Sequence, residues 1–305
     1  MSFKLTILGS NSATPAYGRH HTAQLLTVNN TNFLIDCGEG TQERLVKFKN
    51  RPYQIDHIFI SHLHGDHYLG LMGLIFTMHL MRRTKELYIY GQRGLKEIIL
   101  TQLKYSDSAL NYDIVFHELD SKKSELLFEN KILEVHSFPL NHRIPCSGFL
   151  FKEKRKPFRI NKETLPEDIS LLNIASLKKG ENIIDKDGEV VYKNDDLTLP
   201  PKKSYSYAFC SDTIFDESIV SYVKNVDLLY HEATFLDEKK EWAESTFHST
   251  TVEAATIAKK AKVDQLIIGH FSARYKDLTP FLVEAQNVFK NTLLANEGDE
   301  IKLRD

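Results

Sequence analysis

Residues 59–70 read FISHLHGDHYLG and place three histidines and one aspartate within six positions. The apolar run 58–60 is typical of a buried strand, and the segment 69–80 is typical of a helix. His62, His64, Asp66 and His67 are therefore predicted on a tight turn that follows the strand. In layered α/β proteins, ligand sites gather at this edge of the sheet.

Imidazole nitrogens and carboxylate oxygens are ligands that Zn²⁺ favours, and this turn can offer both kinds to a pair of ions. The alternative is that some of these histidines merely occupy a surface loop. A turn this dense in histidine and aspartate is costly unless something is bound to it. We therefore predict a metal centre at this turn.

The composition limits the classes of protein that the chain can form. Its 305 residues are 42% hydrophobic and 26% charged, which suffices for a core in one large domain or two modest ones. The formal net charge is −2, so any contact with nucleic acid must come from a local basic patch. The N-terminus shows no leader pattern and no run of 18 apolar residues occurs. These features predict no membrane span and a cytoplasmic location.

The three cysteines, Cys37, Cys146 and Cys210, are odd in number and far apart in the sequence. They predict neither a disulfide framework nor a CxxC zinc site. We expect each to be a small buried apolar residue.

The rest of the chain alternates between predicted strands and helices. Strands are predicted at 4–8, 24–28, 33–36, 86–90, 114–118, 126–128, 132–138, 149–151, 206–210, 227–230, 266–268 and 292–295. Helices are predicted at 41–49, 95–104, 214–223, 252–261 and 281–289. Four later strands are followed by His142, by Asp212, by the pair His231-Glu232 and by His270. Because scattered polar residues seldom fall on strand ends so regularly, we expect these ends to converge on the 62–67 turn.

Asp36 ends the predicted strand 33–36, close to the place expected for His62. Its carboxylate could orient a metal-binding imidazole. It could equally form an Asx turn or a helix cap, and the residues leave both possibilities open.

Residues 152–203 differ from the sequence around them. They begin KEKRKPFRINK, with six basic side chains against one acidic side chain. No long helical or strand period follows, and turn signals at 186–188 and 200–201 interrupt the apolar pieces. We interpret 152–203 as an inserted arm on a single domain that spans 1–305. An ordinary solvated insertion fits the same pattern.

HLHGDH resembles the HxHxDH signature of the metallo-β-lactamase superfamily, whose members hydrolyse β-lactams, thioesters, lactones and phosphodiesters. Within that superfamily, the chain resembles the ribonuclease Z family of tRNA 3′-end processing endonucleases. The resemblance rests on LGSNSATP, FLIDCGEGTQ, FISHLHGDHYLGLMGL, IYGQRGL, CSDT, LLYHEATF, HST and IGHFSARY. These motifs run from Leu8 to Tyr275, and the combination of HEAT, HST and GHFSARY is much narrower than HxHxDH.

The resemblance implies an α/β fold, the αββα sandwich in which two β-sheets pack face to face with helices outside. It also implies two Zn²⁺ ions per subunit, held by His62, His64, Asp66, His67, His142, Asp212 and His270. Asp212 would bridge an ion held by the histidines at 62, 64 and 142 and an ion held by the residues at 66, 67 and 270.

The resemblance further implies three catalytic residues. Asp66 would accept a proton from the nucleophilic water, and Glu232 with His248 would protonate the leaving ribose 3′-oxygen. His248 could instead be a helix-start residue without chemistry, and Glu232 a structural hydrogen-bond partner. We interpret His231 as structural or as support for a ligand.

The implied function is a zinc-dependent endoribonuclease that removes the 3′ trailer from precursor tRNA. It would leave a 3′-hydroxyl on the tRNA and a 5′-phosphate on the trailer. The family also implies a homodimer, in which the arm of one subunit can hold tRNA for the active site of the other. Lys and Arg contacts to the phosphate backbone suit recognition of many tRNAs by shape.

Two other functions fit parts of the pattern. One is another hydrolase of this fold that acts on a small phosphodiester, thioester or lactone, and the other is a non-catalytic RNA-binding module with a structural metal.

The chain also departs from the family at two places. His20 follows Arg19 where the family commonly has Asn, which bears on discrimination at the tRNA 3′ end. The arm reads LPEDISLLN where the family is often rich in Gly and Pro, so its detailed contacts do not transfer.

Overall fold

The computed structural model describes residues 3–303 as a series of short strands and helices. The strands are β1 (Phe3–Gly9), β2 (Ala23–Val28), β3 (Thr31–Ile35), β4 (His57–Phe59), β5 (Leu87–Gly91), β6 (Ile114–Glu118), β7 (Glu125–Glu129), β8 (Leu133–Leu140), β9 (Cys146–Glu153), β10 (Arg159–Ile160), β11 (Ile183–Ile184), β12 (Val190–Tyr192), β13 (Thr198–Leu199), β14 (Ser206–Cys210), β15 (Leu228–Glu232), β16 (Gln265–Gly269), β17 (Thr292–Leu294) and β18 (Glu300–Lys302). The α-helices are α1 (Thr41–Lys47), α2 (Gly65–Tyr68), α3 (Leu71–Leu80), α4 (Leu95–Tyr105), α5 (Leu171–Lys179), α6 (Asn194–Leu197), α7 (Ile219–Tyr222), α8 (Lys240–Thr246), α9 (Thr251–Ala261) and α10 (Thr279–Val288). Two 3₁₀ turns lie at Pro52–Gln54 and Asp237–Lys239.

Fourteen of these strands form two mixed sheets. The first has the order β18-β1-β2-β3-β4-β5-β6 and the second has the order β17-β16-β15-β14-β9-β8-β7. In the second sheet β14, β15 and β16 run parallel, with Cys210 opposite His231 and Glu232 opposite Gly269. The carboxyl ends of these three strands therefore lie side by side, where ligand sites of parallel sheets form.

Aromatic rings fill the space between the two sheets. Phe33 and Phe59 of the first sheet contact Phe149 and Phe151 of the second, with ring centroids 5.3–5.5 Å apart. Side chains alternate along a strand, so the neighbours of these phenylalanines point to the opposite face of each sheet. The two sheets therefore pack face to face.

Helices cover the outer faces of both sheets. Leu34 and Ile58 of the first sheet belong to one buried cluster with residues of α1, α3 and α4. Leu229 and Ile268 of the second sheet belong to another with α7, α9 and α10. This arrangement confirms the predicted αββα sandwich. No helix within residues 3–303 combines the length and the apolar character needed to cross a lipid bilayer.

Two element predictions are wrong in detail. A helix is predicted at 214–223, but only Ile219–Tyr222 is helical. The start of that segment is not helical, and the backbone N–H of Ile214 donates instead to the carbonyl of Asn141 at 2.9 Å. The strand β18 is also missed, because its three residues carry too little alternation to stand out. It pairs with β1 through Lys4 opposite Lys302.

The described chain divides into two compact units. One holds the residues up to Phe128, Val135–Phe151 and the chain from Ser206 onward, and the other holds Glu129–Glu134 and Lys152–Tyr205. The smaller unit contains the helix α5 and the strand pairs β10–β13 and β11–β12. It buries Leu177, Ile183 and Leu197 in a cluster of its own.

The sequence pattern predicts no periodic element in this smaller unit. Its strands of two or three residues are too short for a period to appear. The helix α5 did have local signals, because Ser170 caps its N-terminus and the left-handed Gly180 ends it.

Candidate active site

The predicted ligand residues meet at one place, next to the ends of β4, β8, β14 and β16. The 62–67 turn follows β4, His142 follows β8, Asp212 follows β14 and His270 follows β16. Their donor atoms form two sets in which every atom lies within 4.8 Å of the others. Residues as distant as 62 and 270 are thus brought to the same pocket.

We call His62, His64 and His142 the open group, because it contains the half-buried His64, although the His142 side chain is only 2% exposed. The Nδ1 atom of His64 lies 3.1 Å from Nε2 of His62 and 3.1 Å from Nε2 of His142. Three ring nitrogens therefore point at a common position.

We call Asp66, His67 and His270 the buried group, because all three side chains are buried. Oδ2 of Asp66 lies 3.4 Å from Nε2 of His67 and 3.3 Å from Nε2 of His270. This group presents two nitrogens and one carboxylate oxygen to a second common position.

Asp212 lies between the two groups and turns one oxygen to each. Its Oδ2 is 3.5 Å from Nε2 of His62 in the open group. Its Oδ1 is 3.2 Å from Nε2 of His270 and 3.4 Å from Nε2 of His67 in the buried group. The carboxylate is thus placed to bridge two cations.

These donor sets fit divalent metal ions. A tetrahedral set of N and O atoms at about 2.0–2.1 Å from one ion has ligand–ligand separations of roughly 3.3–3.4 Å, close to the distances within each group. The Nε2 atom of His67 is also buried without a hydrogen-bond partner among the described residues. A buried polar atom of this kind is costly unless it is coordinated.

The electrostatics of the cluster follow from burial and from three carboxylates, those of Asp36, Asp66 and Asp212. Burial and the neighbouring His67 hold the pKa of His62 well below its usual range. Burial alone would also lower the pKa of His67, but the carboxylates of Asp212, Asp66 and Asp36 raise it well above the usual range. Burial opposes ionisation of Asp212, yet His270 and His67 keep its pKa well below the usual value.

Asp36 supports the site through a hydrogen bond to His67 and not to His62. Its Oδ2 lies 2.7 Å from Nδ1 of His67, and its two oxygens accept from the N–H and hydroxyl of Ser61 at 2.8 and 2.9 Å. It does not cap a helix, since the N-cap of α1 is Gly40. Of the two possibilities that the sequence left open, the structure therefore favours orientation of an imidazole.

Backbone strain marks two of the strand ends. Asp36 and His270 have φ values of 56° and 62°, in the left-handed region that L-residues rarely adopt. Gly38 lies nearby, and a Cβ there would be 2.4 Å from the carbonyl oxygen of Asp66. Only glycine at position 38 allows this close approach of two loops that both serve the site.

Glu232 and His248 form a second pair beside the donor groups. Oε1 of Glu232 lies 2.9 Å from Nδ1 of His248. Burial would lower the pKa of this imidazole, but the Glu232 carboxylate outweighs it and raises the pKa to about 9. The pair can therefore present a protonated imidazole to the pocket. His231 points elsewhere and pairs with the carbonyl of Glu232 at 2.7 Å.

His248 also lies close enough to other donor residues to be considered as a metal ligand. Its Nδ1, with Asp212 and His270, forms a third set of closely spaced donor atoms. However, this Nδ1 lies 3.9 Å from Oδ2 of Asp212 and is already taken by the shorter contact to Glu232. The hydrogen bond between Glu232 and His248 therefore describes the geometry better.

Several supporting residues were not predicted from the sequence. The hydroxyl of Thr234 donates to Glu232 at 2.7 Å and lies 2.9 Å from Nδ1 of His270. The carbonyl of Phe247 lies 2.9 Å from Nδ1 of His142. Thr234 stands inside HEAT and could have been suspected from that motif, whereas a backbone carbonyl leaves no signal in a sequence.

The donor groups lie at the floor of an open cleft of about 900 Å³. Its walls include the loop 12–15, Glu39, Arg143, Phe235, Ser245, Thr246 and Arg274. Exposed guanidinium groups at positions 143 and 274 give the walls positive charge. A cleft of this size and polarity suits an extended anionic substrate better than a small apolar molecule.

Comparison with known proteins extends the similarity over the whole chain. The family model described as "Anti-Pycsar protein Apyc1" matches residues 3–154. Ribonuclease Z of Cytophaga hutchinsonii is 49% identical over 305 residues, which cover 100% of this chain and 97% of the relative. The solved structure of the short form of human tRNase Z has a TM-score of 0.72 and 29% identity, with 98% of each chain covered.

A more distant structure supports the fold alone. The metallo-β-lactamase fold protein YhfI from Bacillus subtilis superposes with a TM-score of 0.69 at 17% identity, over 99% of this chain and 100% of its own. The αββα sandwich is thus shared well beyond the proteins that resemble this chain in sequence.

Proposed function

The chain belongs to the ribonuclease Z family, and on that premise we propose that it is a zinc-dependent endoribonuclease that removes the 3′ trailer from precursor tRNA. The proposal rests on one observation. Seven donor residues lie together at one cleft, and the hydrogen-bonded pair Glu232 and His248 lies beside them. A small-molecule hydrolase of the same fold is not favoured, since the relatives that match over the full chain are named ribonuclease Z.

We propose that the open and buried groups would each hold one Zn²⁺ and that Asp212, which turns one oxygen to each group, would be a ligand to both. Zinc bound there supplies Lewis-acid polarisation of the phosphoryl group and lowers the pKa of the attacking water. The chain itself fixes where these events occur. Asp36 and Thr234 orient His67 and His270 through hydrogen bonds at 2.7 and 2.9 Å.

The proton movements are assigned to two residues. The Asp66 carboxylate accepts a proton from the water that attacks phosphorus, for which its Oδ2 is placed at the pocket floor. His248, held protonated by Glu232, donates a proton to the ribose 3′-oxygen as its bond to phosphorus breaks. The products are a tRNA with a 3′-hydroxyl and a trailer with a 5′-phosphate.

The basic segment 152–203 is proposed to bind the tRNA body. Lys152, Arg155 and Lys162 are exposed, and none is in an ion pair with a carboxylate of residues 3–303. Arg155 also lies over the Phe158 ring, with the guanidinium carbon 5.2 Å from the ring centroid. Replacing these three cations with Gln should weaken binding of precursor tRNA and flatten its salt dependence, with little change in single-turnover cleavage at saturation.

We also propose a homodimer in the cytoplasm. Exposed apolar side chains on and near α1 and α3, including Val46, Leu69 and Leu80, support a self-association surface. The three cysteines are free and buried, as expected in a reducing compartment. Sedimentation at micromolar concentration tests the dimer, and a monomer at all concentrations would contradict it.

The experiment that tests the function is cleavage of one precursor tRNA by zinc-loaded protein, with the cut position mapped. The expected result is one cut at the 3′ end of the tRNA body, loss of cleavage with a chelator, and recovery with added zinc. An Asp66→Asn variant should bind the precursor but cleave it about 10²–10⁴-fold more slowly. An intact precursor in the zinc-loaded reaction would reject the proposal.

A further inference from the structure

Arg143 has no part in the reaction described above, yet it lies at the cleft beside the open group. The residue follows His142, is exposed, and contributes to the cleft wall. Its Nη2 atom is 3.4 Å from Nε2 of His64. No carboxylate of residues 3–303 forms an ion pair with it. The guanidinium is therefore available to a ligand in the cleft.

The contact between Arg143 and His64 brings two hydrogen-bond donors together. Nδ1 of His64 faces inward, toward the nitrogens of His62 and His142 at 3.1 Å each. When that nitrogen acts as an acceptor or a ligand, the proton of the ring lies on Nε2, which faces Arg143. A guanidinium nitrogen can only donate. In that state both groups are donors 3.4 Å apart, and one acceptor in the cleft can bind both of them.

The charge around the two donors indicates an anionic acceptor. Arg143 stands next to a cluster that fits divalent cations, so its positive charge is unfavourable there unless an anion lies between or beside them. A phosphate offers non-bridging oxygens that match the planar donor fork of arginine. The RNA backbone brings one such group with each nucleotide.

We propose that Arg143 and the Nε2–H of His64 bind the backbone phosphate that neighbours the cleaved one. The inference rests on the proposed function, which supplies an RNA in the cleft. The imidazole ring of His64 lies between Arg143 and the position where the open group's nitrogens converge, so the guanidinium reaches past the reacting phosphate. Arg143 is thus a substrate-binding residue that fixes how the strand enters the site.

The first test is a kinetic comparison of Arg143→Gln, Arg143→Lys and a control, Arg51→Gln. Arg51 is exposed and lies outside the cleft, so its loss removes one positive charge and one exposed hydrogen bond of 3.3 Å to Tyr53. Arg143→Gln should raise KM about tenfold and change kcat less than threefold, because contact with an unreacting phosphate stabilises ground and transition states equally. Arg143→Lys should recover part of the loss, and Arg51→Gln should match wild type.

The second test needs no turnover. Binding of precursor tRNA to chelator-treated protein is measured over a salt series, which reports phosphate contacts directly. Loss of one contact should flatten the slope of log affinity against log salt by about 0.7–0.9. Arg143→Gln should show this change and Arg51→Gln should not. Equal slopes for Arg143→Gln and wild type would overturn the proposal.

The third test identifies the phosphate. Precursors carry a neutral methylphosphonate at the linkage one step upstream or one step downstream of the cut. If Arg143 binds one of these phosphates, the methylphosphonate at that linkage and Arg143→Gln should have non-additive effects on binding, because both remove the same interaction. Full additivity at both linkages would overturn the proposal. So would a fall in kcat at unchanged KM.

These outcomes are separable from failure of the proposed function. If wild type does not cleave precursor tRNA, the function fails, and the salt series still shows whether Arg143 binds a phosphate. If wild type cleaves and Arg143→Gln behaves as wild type in all three tests, only the assignment of Arg143 fails. Thermal unfolding of each variant checks that the fold is retained.

Discussion

The open group and the buried group offer similar atoms to a metal ion but are held in place differently. In the buried group, Nδ1 of His67 is paired with the Asp36 carboxylate at 2.7 Å, and Nδ1 of His270 lies 2.9 Å from the Thr234 hydroxyl. In the open group, His142 is held by a backbone carbonyl, and within residues 3–303 the hydrogen-bond contacts of His64 are to two histidines and an exposed arginine. His67 is thus anchored by a charged partner, whereas His270 and His142 are held by neutral contacts.

This difference teaches that a symmetric set of residue types need not form a symmetric site. A ligand whose second ring nitrogen is fixed by a carboxylate is oriented before the metal arrives and is more basic. A half-exposed ligand without such a partner must be ordered when the metal binds, which costs side-chain entropy. We therefore expect the buried group to bind its proposed ion more tightly than the open group does.

The largest expected effect comes from removing the residue that both groups share. Asp212→Asn keeps the shape of the side chain but removes the charge that faces both positions. We expect both ions to be lost and cleavage of precursor tRNA to fall roughly 10³-fold or more, since the site loses its Lewis acids. Elemental analysis and single-turnover cleavage measure the two quantities. A variant that retains one full ion would show that the groups are independent of Asp212.

The second-largest expected effect is on the stability of the folded protein, and it differs between the buried group and the open group. His67→Ala leaves the buried Asp36 carboxylate without its histidine partner, which should destabilise the metal-free protein by about 3–5 kcal/mol. His64→Ala removes a half-exposed ring and should change the stability by less than about 1 kcal/mol. Denaturant unfolding with a chelator present measures both. Equal destabilisation by the two substitutions would contradict the difference in anchoring.

A milder substitution tests the contact between Asp36 and His67. Asp36→Asn keeps the shape of the side chain and one acceptor oxygen, but it removes the negative charge and the second of two oxygens that accept hydrogen bonds. The affinity of the buried group for zinc should fall about 10–100-fold, while that of the open group stays within a few-fold of wild type. Competition with a zinc indicator measures the two affinities. If both affinities fall alike, Asp36 acts on the whole site and not on one group.

The meeting of the candidate donor residues at one place could be predicted because their pattern is local or falls on strand ends. The 62–67 turn can be recognised from residue spacing alone. His142, Asp212 and His270 each follow a predicted strand. The division into an open and a buried group could not be predicted, since it depends on burial and on second partners. Phe247 contributes through a carbonyl, and Asp36 turned out to support His67 and not its nearer expected neighbour, His62.

The fold could be predicted where the hydrophobic pattern extends over several residues. The prediction failed where contacts from other parts of the chain determine the local conformation. The parallel strands β14, β15 and β16 were each found from their apolar runs. The predicted helix 214–223 was wrong at its start because the Ile214 N–H is engaged by the loop that carries His142. In the smaller unit, α5 lies beside strands of two and three residues, for which no periodic signal can exist.

The smallest expected effect concerns the order in which zinc leaves. With a chelator, the ion of the open group should dissociate first, about tenfold faster than that of the buried group. The reason is that the open group includes the half-buried His64, whereas Asp66, His67 and His270 are all buried. Two release phases of equal amplitude should appear in the fluorescence of a zinc-sensing dye. The Asp36→Asn variant sharpens the test, because it should speed only the slow phase and bring the two rates together. A single phase in the wild type, or acceleration of the fast phase in the variant, would mean that exposure and the carboxylate anchor do not set the order of release.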